Sequence, residues 1–248
     1  MRRLPSFGDR RDSARTRQLV QFPRDREVAT LTTDSGLSMK APKSWPLFGV
    51  LALATSTAIL LGLPNADFHS TRGMGPIILR AVRCSLPLFL VAFTASSLAV
   101  LWPSAGTRWL LANRRYIGLA FASGMAWHFS FVAYMIWSFG NPLSPLPTAL
   151  DLIGAGFLLL LTLTSSKWAA RRLGPANWRY LHKIGVYAVW LLATDIYYGS
   201  IRNGGGPAHH AVFGALVAAW LLRVAAWAKQ RLSSRSRLAI RERAIPRF

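Results

Sequence analysis

Residues 77–101 read IILRAVRCSLPLFLVAFTASSLAVL, and residues 116–139 read YIGLAFASGMAWHFSFVAYMIWSF. Between them lies WPSAGTRWLLANRR, with Arg108, Arg114 and Arg115 and no acid. Each apolar stretch exceeds the ~20 residues that an α-helix needs to cross a hydrocarbon core of about 30 Å. Trp102-Pro103 closes the first and Gly140-Asn141-Pro142 the second. Two membrane spans joined by a basic turn follow from this pattern.

The same reading extends in both directions. Further apolar runs cover residues 46–63, about 149–163, 181–198 and 211–227, and the fourth of the six is nearest the lower length limit. Gly124 and Pro87 lie inside runs, as membrane helices tolerate where neighbours satisfy the freed backbone groups. The link after the fourth run carries Lys167, Arg171, Arg172 and Arg179, and the stretch from Lys229 to Arg247 is strongly basic. By contrast, residues 141–151 hold no basic group, residues 200–210 hold only Arg202, and the first such link holds Asp67, His69 and Arg72. Basic and near-neutral links alternate, so the positive-inside rule gives one topology. The expected fold is an all-α integral membrane bundle of about six transmembrane helices with both termini cytoplasmic. A basic tail over 1–44, a membrane domain over 45–228 and a basic tail over 229–248 complete the plan. No apolar segment follows the Arg-rich start before Trp45, which argues against a secretory signal.

Composition agrees. Of 248 residues, 52% are hydrophobic and 16% charged, whereas soluble domains carry about a quarter charged residues. Lys and Arg number 30 against 9 Asp and Glu. Such an excess fits nucleic acid, anionic lipid or retained loops. The cations gather at the ends and between the runs, with no zinc-finger or RNA-binding pattern, so lipid is the expected partner and nucleic acid is not. The single cysteine, Cys84, builds no disulfide, Cys-based zinc site or iron–sulfur cluster within the chain.

Polar residues inside the runs carry the functional information, because hydrocarbon makes them costly. His128 lies in the third run, His182 at the basic end of the fifth, and Asp195 thirteen residues further on, about 20 Å along a helix. Each has a plain alternative. His128 can bond a neighbouring helix, His182 can reach headgroup water, and His209-His210 beside Gly204-Gly205-Gly206 can sit in a solvated loop. Asp195 must pair, become neutral or meet water. Two histidines at different depths in an apolar bundle suit haem, for which imidazole is a good axial ligand.

These residues also resemble a known family. Arg114-Arg115-Tyr116-Ile117-Gly118-Leu119 followed by Ala126-Trp127-His128 is similar to the third helix of ferric-reductase-like transmembrane proteins. Leu163-Thr164-Ser165-Ser166, then Arg171-Arg172-Leu173-Gly174 and Trp178-Arg179-Tyr180-Leu181-His182, resembles the haem-bearing membrane subunit of the periplasmic methionine sulfoxide reductase system. The similarity spans about residues 76–200. It implies a bacterial plasma-membrane protein carrying b-type haem, one or two, with His128 and His182 as iron ligands and Arg114, Arg115, Arg171 and Arg172 near the propionates. The family's second histidine of the fifth helix falls on Asp195 here, so the outer haem lacks its usual ligand. Tyr197, Tyr198, His209 and His210 are the other groups near that level. The implied activity is electron relay from a separate flavoprotein or a quinone to an outer-side ferric chelate or reductase partner. No Gly-rich dinucleotide fingerprint is present. A haem-poor relative serving assembly or regulation, and a proton- or cation-coupled transporter using Asp195, remain open beside it.

Overall fold

A computed structural model describes residues 45–140 and 145–243, with side chains placed except at 145–147, 167 and 234–243. The expected tail over 1–44 and the last residues, 244–248, lie outside the described residues. Seven α-helices appear: α1 Trp45–Leu60, α2 Thr71–Leu101, α3 Ala105–Phe139, α4 Pro145–Leu163, α5 Lys167–Leu173, α6 Pro175–Arg202 and α7 Pro207–Arg243. Among the described residues there is no strand. Five helices, α1, α2, α3, α6 and α7, are long and apolar enough to cross a membrane, and α4 is a shorter apolar helix beside them.

The helices extend beyond the apolar runs because polar caps, not hydropathy, set their ends. The Ser70 side chain accepts from Gly73 N and starts α2 at Thr71, and Ser104 and Thr107 form a capping box that starts α3 at Ala105. Gly174, at φ 76°, makes the left-handed turn between α5 and α6. α7 continues through the basic residues to Arg243, so much of the expected C-terminal tail is helical.

Side-chain contacts fix the direction of each helix. Ring contact between Phe89 and Phe121 and the approach of His128 to Ile78 O make α2 and α3 antiparallel. Trp127 Nε1 donates to Ser56 Oγ at 3.1 Å, and Trp45 packs on Tyr116, so α1 runs parallel to α3. Trp178 Nε1 donates to Thr164 O at 2.8 Å while Gly185 packs on Leu161 and Gly154 on Leu192, so α4 and α6 are antiparallel. α7 runs with α2, since Arg223 reaches Phe93 O and Lys229 reaches Val100 O and Leu101 O. α1, α2, α3, α4, α6 and α7 therefore alternate strictly up and down. The C-termini of α2 and α4 gather at one end, with α5 and the basic part of α7; this is the basic end.

The centre is built from α2 and α3. One apolar cluster holds Leu86, Phe89, Phe93, Phe121, Tyr197, Leu216 and Ala219, and another holds Ile59, Met74, Ile77, Ala81, Phe131 and Met135. At their closest approach Gly124 meets Ser85 and Thr55, with no room for a Cβ. Large apolar side chains such as Leu53, Trp137, Leu152, Leu159 and Leu191 face outward. In water that surface would be a severe aggregation liability; in lipid it is the expected exterior.

Candidate functional site

A cavity of about 400 Å³ opens between α2, α3, α4, α6 and α7 toward the basic end. Phe89, Phe93, Phe121 and Trp178 supply aromatic wall, and Leu119, Leu158, Leu161, Val186 and Val189 supply aliphatic wall. Five cations also line it: Arg114 and Arg115 from α3, Arg179 and Lys183 from α6, and Arg223 from α7. No carboxylate is among the lining residues. The volume falls within the range of small-molecule sites, which join apolar walls to a few placed polar groups.

His182 lines this cavity. Its ring lies against Trp178, with centroids 4.3 Å apart, and its Nε2 is 3.1 Å from Thr164 Oγ1. The Thr164 hydroxyl donates its one proton to Leu160 O at 2.5 Å. With that proton committed, Thr164 Oγ1 is placed to accept from His182 in the tautomer that carries its proton on Nε2. Histidines that ligate metals commonly donate their other N–H in this way. Trp178 in turn is held by its bond to Thr164 O, so one backbone turn of α4 fixes both rings.

Arg223 is the residue that hydropathy alone conceals. It sits inside the last apolar run, half-buried. Its Nε donates to Tyr187 Oη at 3.0 Å and an Nη donates to Phe93 O at 2.7 Å. Its guanidinium lies 4.4 Å from the Phe93 ring centroid and 4.9 Å from that of Tyr187. One backbone and one hydroxyl acceptor and two aromatic faces thus immobilise a cation that, among the described residues, no carboxylate neutralises. Arg115 has a buried Nε without a hydrogen-bond partner.

The remaining sequence candidates lie elsewhere. Arg171 and Arg172 are on α5 and do not line the cavity; Arg172 stacks on Trp168 at 5.2 Å. His128 is 9% exposed and its Nδ1 donates to Ile78 O at 3.4 Å. Ala122 lines the cavity and His128 lies six residues further along α3, so His128 stands about 9 Å beyond the cavity wall along the helix. The carboxylate whose charge His128 meets is Asp151 of α4, not Asp195. Asp151 falls both in the near-neutral link 141–151 and in the run from 149, where it was not weighed as a candidate; α4, which begins at Pro145, carries it inside the helix. Asp195 lies on an exposed face of α6, whereas Tyr197 is 2% exposed and faces inward. The Tyr197 ring meets His209 at 5.9 Å, and Tyr197 Oη and His209 Nδ1 are both buried without hydrogen-bond partners.

The structure thus gathers His182, Arg114 and Arg115 and adds Arg179, Lys183 and Arg223; it separates them from His128, Asp195, Arg171 and Arg172. Among the described residues no three His, Cys, Asp or Glu side chains converge as a ligand set for a bare metal ion. No protein-family model, curated protein or solved structure matches the chain.

Proposed function

We propose that this chain is a transmembrane electron relay that holds a b-type haem in the basic cavity, where His182 would ligate its iron. One observation carries the reading: a single cavity joins an oriented imidazole, aromatic walls and uncompensated guanidinium groups. An apolar macrocycle with an iron at its centre and carboxylates on one edge is complementary to that combination. The orphaned Arg115 Nε and the rigid Arg223 are the features a pair of carboxylates would satisfy.

When bound, haem supplies one-electron chemistry that no side chain here provides. The chain's own residues do the rest. Thr164 orients His182, Trp178 packs against its ring, Phe89, Phe93 and Phe121 exclude water, and Arg115 and Arg223 would meet the carboxylates. His128 is the residue for a second haem nearer the opposite face. Its surroundings fit less well, since Asp151 rather than another imidazole is its charged neighbour. In this reading α4 is the sixth span, the basic end and both termini are cytoplasmic, and the protein resides in a bacterial plasma membrane. A separate flavoprotein or quinone gives electrons, and an outer-side ferric chelate or reductase partner receives them.

The test is a reduced-minus-oxidised absorbance spectrum of the purified protein with haem quantified per chain. Haem that is present in the wild type, lost in His182→Ala and kept in Asp195→Asn is expected. Unchanged haem in His182→Ala overturns the ligand assignment. No haem in wild type from haem-replete cells favours the haem-poor relative with an assembly or regulatory role.

A further inference from the structure

The cavity's charge exceeds what the proposed ligand requires. Two carboxylates of one haem would balance two cations, and five line the cavity. The five divide by exposure. Arg115 and Arg223 are half-buried, whereas Arg114, Arg179 and Lys183 are exposed at the mouth. Arg179 and Lys183 stand four residues apart on α6, one turn above the other. Like charges at that spacing repel each other unless something negative lies between them.

None of the acids whose side chains are described can do this. Asp151 lies twelve residues before the last residue of α4, and Asp195 twelve residues beyond Lys183; both are about 18 Å up the bundle. Asp67 is in the link at the opposite end. Trp178, Leu158 and Leu161 line the same cavity, so apolar wall adjoins the cations. That order, cations at the helix ends and apolar wall behind them, matches a phosphate joined to acyl chains.

We propose that Arg179 and Lys183, with Arg114 across the mouth, form a specific site for the headgroup of an acidic phospholipid. The site does not depend on haem: it rests on the exposed cations at the mouth, and it predicts lipid selectivity whether or not His182 ligates iron. Bound lipid would bridge α3 and α6, relieve the repulsion between Arg179 and Lys183, and close the cavity toward the headgroup region.

The experiment uses the full chain in detergent and measures binding of phosphatidylglycerol against phosphatidylcholine by native mass spectrometry, with haem content followed separately. Wild type should prefer phosphatidylglycerol. Arg179→Gln/Lys183→Gln should weaken phosphatidylglycerol binding roughly twenty-five-fold, from two lost surface cations at about a factor of five each. Arg179→Lys/Lys183→Arg should retain the preference. Arg171→Gln/Arg172→Gln, the same charge loss outside the cavity, should also retain it. No preference in the wild type overturns the proposal without any variant. Equal loss in the α5 variant overturns it in favour of diffuse surface attraction. Displacement of the lipid by millimolar inorganic phosphate overturns it in favour of a free-anion site.

Discussion

Replacing Gly124 by alanine tests the packing on which the whole bundle depends. An added Cβ would collide with Ser85 Oγ and would lie 3.0 Å from both Ser85 Cβ and Thr55 Cγ2. Ordinary carbon contacts are about 3.5–4.0 Å. Ser85 is fully buried and its hydroxyl already donates to Ala81 O at 2.6 Å, so it has no free direction in which to retreat. α3 must therefore move from α2 and α1 at once, and Gly124→Ala should cost about 1–3 kcal/mol. Ser85→Ala alone removes one hydroxyl whose carbonyl partner keeps its helical bond, and should cost under about 1 kcal/mol. Together the two should be less harmful than their sum by at least about 0.5 kcal/mol, since the collision is partly removed. Equilibrium unfolding in mixed micelles, followed by tryptophan fluorescence, gives all three values. Additive costs, or a Gly124→Ala protein as stable as wild type, would refute the close approach of α2 and α3.

Two further outcomes follow from individual contacts. Tyr187→Phe should cost about 1 kcal/mol through loss of its bond from Arg223; Arg223→Gln should cost more in the same unfolding assay, because Phe93 O and both ring faces lose their partner as well. In the link before α2, His69 N and Ser70 Oγ donate to the Asp67 carboxylate at 2.8 and 2.7 Å and hold its pKa below the usual value. A lowered carboxylate pKa stabilises the fold above the unfolded value of about 4 and loses that contribution as pH falls through the folded value. Melting temperature should therefore drop as pH falls below about 4, and the drop should be smaller in Ser70→Ala, which removes the largest cause of the shift.

Much of the architecture was legible in hydropathy because a span must be apolar along its length, and the alternation of basic and neutral links ordered the helices. Helix ends were not, since Ser70 and Ser104 act through local hydrogen bonds that leave no trace in a hydropathy average. α5 escaped because a seven-residue helix is too short to show a period. His182 was found from its cost in lipid, and the cavity it faces confirms only that it shares a site with Arg114 and Arg115. Arg223 was not singled out from the sequence; its significance comes from Phe93 and Tyr187, residues distant in sequence that a linear reading cannot place beside it. Asp151 was read only as the last residue of a near-neutral link, although the run from 149 contains it.

The bonds from Arg223 and Lys229 to the carbonyls of α2 span 128 to 130 residues. During synthesis, α2 enters the membrane long before either partner exists, so its Val100 and Leu101 carbonyls meet water or headgroups until α7 emerges. The far wall of the cavity is likewise absent until then. Assembly of the site accordingly waits for α7, and a chain stalled before residue 223 would lack the Arg223 side of the cavity.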